Sequence, residues 1–127
     1  MKKRESSDPP RAIAERGWRY HHIGIPTKKI KPGERQIKEL GMHVSGFEES
    51  EFGIEWMRFE PDSPISEIIR NLPHIAFEVD HLEEALKGRN IISGISSPSP
   101  GVKVAMIIED GLPVELMEFI HNNQSDD

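Results

Sequence analysis

The 127-residue sequence contains no cysteine. That excludes a disulfide framework, thiolate zinc sites and cysteine nucleophiles. Any transition metal must be held by histidine and carboxylate, a donor set that suits Zn, Fe, Mn, Ni or Co better than Cu(I). Positive charge is also scarce, with 16 Lys and Arg against 22 Asp and Glu and a net charge of -6. This balance argues against the phosphate-neutralising surface that general nucleic-acid binding requires. No apolar run approaches the roughly 18–20 residues needed to cross a bilayer, so no membrane partner is expected. Met1 to Arg4 is basic, but the polar stretch Glu5 to Pro10 follows where a signal peptide places its apolar segment. The expected location is the cytoplasm.

Turn formers, by contrast, are plentiful. Ten Gly and ten Pro in a chain of one-domain length favour short strands over a helix bundle. Residues 1–17 read as a polar, flexible tail with a helix-compatible piece at Arg11 to Arg16, and residues 122–127 as a second, disordered tail. Between them, residues 18–121 read as a single α+β domain. Tyr20 to Pro26 is a predicted strand and Pro32 to Leu40 a predicted helix stopped at Gly41. Strands at Met42 to Phe47 and Ile54 to Glu60 flank the acidic turn Glu48 to Glu51. A turn at Pro61 to Pro64 leads to a short helix or connector at Ile65 to Asn71. The order then restarts with a strand at His74 to Val79 and a helix at Leu82 to Leu86 with Asp80 as its expected N-cap. Strands follow at Ile91 to Ser93, Val102 to Glu109 and Val114 to Phe119.

The second half (about 72–121) is thus strand, helix, strand, strand, strand. The first (about 18–64) is strand, helix, strand, strand, one strand short. Such an internal repeat is the main organisational fact. It extends to residues: His22-Ile23-Gly24-Ile25 matches His74-Ile75-Ala76-Phe77. Alternation along a strand puts His22, Gly24 and Pro26 on one face and Ile23 and Ile25 on the other. His74, Ala76 and Glu78 likewise oppose Ile75, Phe77 and Val79. The large apolar face suits packing on a helix, and the His and small-residue face suits a cleft. Two histidines at matching repeat positions point to a shared metal site more strongly than a lone histidine does.

The segments His22-Ile23-Gly24-Ile25-Pro26, Pro73 to Asp80 followed by Leu82-Glu83-Glu84-Ala85-Leu86, and Pro113 to Phe119 resemble the vicinal-oxygen-chelate (glyoxalase-like) superfamily. The stretch from Pro61 to Val79 is most similar to its methylmalonyl-CoA epimerase and glyoxalase-like branches. The resemblance covers about residues 20–120. It implies paired βαβββ modules forming a curved, open mixed sheet around a cleft. It also implies one divalent metal ion held by His22, His74 and Glu115. Strand parity agrees, since Glu115, Met117 and Phe119 share a face. A fourth ligand position falls on either Glu55 or Met57, two residues of the same parity, with water as the remaining choice.

The activity implied is that of a metal-dependent enzyme acting on a small substrate that chelates the metal through oxygen atoms. An isomerase, epimerase or lyase reaction would use Glu115 or Glu55 to move a proton. An Fe(II) dioxygenase is an alternative, because two His and one carboxylate form the facial triad of such enzymes. A metal-free binding or antibiotic-sequestering module is the other. The resemblance also implies a homodimer, which would cover exposed sheet edges. Other residues read more plainly. His21 is expected on the opposite face from His22, in a structural role. His43, His81 and His121 fall near turns or ends and read as exposed. Arg58 and Lys103 are candidates for an anionic substrate group, set against a solvated sheet edge. Trp56, Met57, Phe59, Met106 and Met117 read as core or cavity wall.

Overall fold

The computed structural model describes residue 5 and residues 9–120; His121 and the tail at 122–127 lie outside the described residues, as does most of 1–8. A short helix α1 (Arg11–Ala14) precedes strand β1 (Arg19–Pro26). Then come β2 (Arg35–Ile37), a 3-10 turn (Lys38–Leu40), β3 (Met42–Ser45), β4 (Ile54–Phe59) and helix α2 (Glu67–Asn71). The second module comprises β5 (His74–Glu78), helix α3 (Leu82–Leu86), β6 (Asn90–Ser96), β7 (Val102–Glu109) and β8 (Leu112–Phe119). Among the described residues no helix is long and apolar enough to cross a membrane.

All eight strands form one curled, open, mixed sheet in the order β2-β3-β4-β1-β5-β8-β7-β6. The order is the same read outward from the centre. In each module the first strand pairs in parallel with the last, β1 with β4 and β5 with β8. The two first strands meet antiparallel at the middle. The first module is therefore not a strand short but a helix short.

The helix expected over residues 32–40 is instead a loop, the three-residue strand β2 and a 3-10 turn. The reason is visible in the side chains. Only Ile37 and Leu40 in this stretch are apolar, too few for a helical stripe. Both pack beside Met42, Val44, Met57 and Phe59 on the concave face. The loop before β2 covers the convex face of this module in the helix's place. Lys31 Nζ sits 4.2 Å from the centre of the Trp56 ring, and Glu34 takes a two-pronged hydrogen bond from Arg58 at 2.8 and 2.7 Å.

That contact carries a pH signature. The hydrogen bond from Arg58 is the leading cause that holds the Glu34 carboxyl down at about 2, against an ordinary 4.5. A depressed carboxyl stabilises the fold fully above its unfolded value and loses that contribution as pH falls through the folded one. The stability gap between wild type and Glu34→Gln is therefore expected to close between about pH 4.5 and pH 2. Urea midpoints across that range measure it.

In the second module α3 does cover the convex face. Leu82, Leu86, Val79, Ala105, Ile107 and Leu116 form its buried core. The N-cap is not Asp80, whose carboxylate accepts a 2.9 Å hydrogen bond from Arg19 instead. Glu118, a residue of β8, accepts the Leu82 N–H at 2.8 Å. Removing this acceptor with Glu118→Ala is expected to cost about 1 kcal/mol. Asp80→Ala, which breaks only an exposed ion pair, should cost less than about 0.5 kcal/mol. Denaturant midpoints of the two variants decide between the caps.

The four residues 110–113, left between the last two strands expected from the sequence, close into a tighter turn. Glu109 and Leu112 pair directly across the hairpin, leaving Asp110 and Gly111 as a two-residue loop. Both have positive φ, 51° and 79°, the combination that a twisted hairpin of this length requires and that Asp-Gly supplies.

Candidate metal centre

The strand register builds the site. Across β1 and β5, His22 lies opposite Ala76 and Gly24 opposite His74. Glu55 on β4 pairs with Gly24, and Glu115 on β8 pairs with Ala76. Two neighbouring rungs result, Glu55–Gly24–His74 and His22–Ala76–Glu115. Each has a small residue in the middle and a polar one at either end. Exchanging the modules maps His22 onto His74, Gly24 onto Ala76 and Glu55 onto Glu115. By register it is Glu55, not Met57, that corresponds to Glu115. Met57 pairs with Pro26 as Met117 pairs with Glu78, one step further along the strands.

The side chains converge. Oε1 of Glu115 lies 3.2 Å from His22 Nε2 and 3.0 Å from His74 Nε2. Glu55 Oε1 is 3.6 Å from His22 Nε2. One ligand atom from each of His22, His74 and Glu115 can be chosen so that all lie within 4.8 Å of one another. Ligand atoms around a tetrahedral zinc stand about 3.4 Å apart for bonds of about 2.1 Å, so the spacing fits a single ion. The donor set, two imidazoles and a carboxylate, fits Zn, Fe, Mn, Ni or Co. Both histidines are buried, at 4% exposure each.

Electrostatics divide the two carboxylates. Burial pushes the Glu115 carboxyl up, but hydrogen bonds from His22 and His74 together outweigh it and hold the group at about 2. Burial leads for Glu55 as well and there prevails, raising its value. For His22, burial acts downward, and the Glu115 hydrogen bond and charge more than reverse it.

His74 is placed by packing. A Cβ built on Gly24 would lie 2.3 Å from His74 Cε1 and 2.7 Å from Nε2. The imidazole therefore lies flat on the bare Gly24 backbone. Its Nδ1 is buried without a hydrogen-bond partner among the described residues.

His21 does not follow the expected alternation. Tyr20 pairs with Phe77 while His22 pairs with the next residue, Ala76, so β1 carries a bulge at His21. A bulge inserts a residue and re-aims side chains. His21 consequently turns to the same cavity as His22. Its Nδ1 lies 2.8 Å from His22 Nδ1, and its ring stacks on Phe47 at 5.2 Å.

The site opens into a cavity of about 490 Å³ between the two modules. Met42, Met57 and Ile69 line one end, Val104, Met106 and Phe119 the other. Neither Arg58 nor Lys103 reaches it. Arg58 is taken by Glu34, and Lys103 Nζ lies 3.8 Å from Glu118. Among the described residues the Lys or Arg in the cavity wall is Arg35, whose segment reads as a helix in the sequence. His43 is not exposed as expected but half-buried, 2.7 Å from Glu60. His81 is exposed, as expected.

No protein-family model matches the sequence, and no curated protein matches it. Solved structures do. A hypothetical protein, BH1468 from Bacillus halodurans C-125, superposes with a TM-score of 0.64 at 22% identity, over 87% of this chain and 99% of that one. Methylmalonyl-CoA epimerase from Mycobacterium tuberculosis gives 0.57 at 17% identity, over 84% and 91%. At these identities the likeness is one of fold alone.

Proposed function

We propose that this protein is a divalent-metal-dependent enzyme of the glyoxalase-like class. Its substrate is a small molecule that chelates the metal through oxygen atoms, and its reaction is of isomerase, epimerase or lyase type. One observation carries the reading. Two buried imidazole nitrogens from matching repeat positions converge on a single carboxylate oxygen, at 3.2 and 3.0 Å, beside a roomy apolar cavity. An unliganded binding module has no need to bury two imidazoles around a largely enclosed carboxylate, because burying a charge is costly unless it is paired or metal-bound.

A divalent ion held by His22, His74 and Glu115 would supply Lewis acidity toward a substrate oxygen. The chain's own residues divide the rest of the work. Glu115 is held as a carboxylate by both imidazoles and serves as a ligand. Glu55 occupies the matching place in the first module, facing the same centre, and is the group positioned to take or return a proton. Arg35 in the cavity wall suits an anionic group on the substrate, while the Met and Ile walls suit an apolar body.

Metal analysis of protein purified without chelator tests the reading. About one Zn, Mn, Ni or Co per chain supports it. Iron as the sole tightly held metal would favour the dioxygenase alternative, since two histidines and a carboxylate match that facial triad. No bound metal, and none taken up on addition, would leave a metal-free binding module.

We further propose a homodimer. Strand β6 is an edge of the sheet with Ile91 and Ile95 exposed at 50% and 42%, an open edge of the kind that proteins cover by pairing. Light scattering at micromolar concentration should give twice the chain mass, and a monomeric mass would overturn the proposal.

A further inference from the structure

We propose that His21 is a positioning residue that holds His22 in the ring orientation and tautomer able to bind a metal ion; the inference rests on the metal reading above. Neighbouring residues of a regular strand face opposite sides. His21 and His22 share the cavity because of the bulge in β1. Their Nδ1 atoms lie 2.8 Å apart, a hydrogen-bond distance at which one nitrogen carries the proton and the other accepts it.

The direction of that bond follows from what His22 does at its other nitrogen. His22 Nε2 faces Glu115 and Glu55 at 3.2 and 3.6 Å. A neutral imidazole that offers its Nε2 lone pair to a cation keeps its one proton on Nδ1. With a cation at Nε2 in place of the Glu115 hydrogen bond, His22 Nδ1–H donates and His21 Nδ1 accepts, so in the metal-bound site His21 is the neutral ring protonated on Nε2. Metal-bound histidines generally need an acceptor of this kind to fix tautomer and ring angle.

His21 is itself held in place. Its ring stacks on Phe47 with 8° between the planes and lies 5.4 Å from Phe119. Phe47 also meets His22 edge-on at 6.0 Å. Among the described residues His74 has no equivalent partner, since its Nδ1 is buried and unpaired and the Gly24 backbone seats its ring instead. The two module-related histidines are thus oriented by different devices, one by a hydrogen bond and the other by close packing.

Zinc affinity, measured by competition with a chromophoric chelator, compares wild type with His21→Phe and His21→Asn. Phenylalanine keeps the stacking surface without the acceptor. Asparagine restores an acceptor near the Nδ1 position without the ring. His21→Phe is expected to bind zinc about 10- to 100-fold more weakly, and His21→Asn to recover most of that loss. In 15N-labelled, zinc-loaded wild type, a scalar coupling across the Nδ1–H···Nδ1 bond is expected, which a mere packing role does not produce. Affinity of His21→Phe within about twofold of wild type, far below the usual cost of losing such a partner, overturns the proposal. So does an asparagine variant as weak as the phenylalanine one, or a zinc-loaded wild type without the coupling. The coupling needs no variant, so it decides even if His21→Phe fails to fold. Wild type that binds neither zinc nor any other divalent metal ion is a separate result, which removes the metal reading and this inference with it.

Discussion

Glu115→Gln is expected to weaken zinc binding about 100- to 4,000-fold while leaving the fold intact. The substitution keeps the shape of the side chain and removes its charge. In the native site one oxygen of Glu115 faces both imidazole Nε2 atoms, at 3.2 and 3.0 Å. Breaking a buried charge interaction of this kind typically costs about 3–5 kcal/mol, and each 1.4 kcal/mol is about tenfold in affinity. Glutamine also presents an NH₂ group to the site, and an amide nitrogen does not ligate zinc. His22→Ala and His74→Ala should fall in the same range, since each removes one of three ligands. Glu55→Gln should fall short of it, because Glu55 stands further out, 3.6 Å from His22 Nε2. Competition titrations with circular dichroism as a folding control give the ranking. A Glu115→Gln protein with unchanged zinc affinity and a Glu55→Gln protein without any would exchange the roles of the two carboxylates.

Much of this site was legible in the sequence because it depends on alternation. His74, Ala76 and Glu115 lie on regular stretches of β5 and β8, where every second side chain shares a face, and all three point inward as their spacing indicates. The repeat made His22 and His74 equivalents without any knowledge of the sheet. What escaped reading depends on register or on distant contacts. The bulge at His21 leaves no mark in the residue string, and it reverses the expected direction of that side chain. Glu55 and Met57 share parity, so only the parallel pairing with Gly24 distinguishes them. The cap of α3 comes from Glu118, 36 residues away, rather than from the adjacent Asp80. Residues 32–40 carry a helix's stop signal at Gly41 but only two apolar residues, and the lack of a full stripe decided for the strand and 3-10 turn. Arg35 was missed for the same reason.

Gly24→Ala, the addition of one methyl group, should disable the centre as thoroughly as removing a ligand. Gly24 sits in the middle of β1 without a positive φ, so its backbone accepts alanine; only the space above it does not. The new Cβ would lie 2.3 Å from His74 Cε1, 2.7 Å from Nε2 and 2.9 Å from Nδ1. All three distances fall well inside van der Waals contact and cover the whole Nδ1–Cε1–Nε2 side of the ring. His74 is buried, and a close-packed surround limits how far it can shift. The ring must swing away from β1, which takes Nε2 off its 3.0 Å contact with Glu115. Overpacking of this kind costs about 1–3 kcal/mol, and zinc affinity should drop to the level of His74→Ala. Two controls isolate the cause. Gly94→Ala, on β6, meets nothing within 4 Å and should change neither property. Gly24→Ala combined with His74→Ala removes the clash together with the ring. The double variant should therefore be more stable than Gly24→Ala alone, a non-additive result expected of residues in direct contact. Urea midpoints for the four variants and zinc titrations for each supply both readings. Retention of wild-type zinc affinity by Gly24→Ala would show that His74 does not need the seat on β1, and its role as a ligand would fail with it.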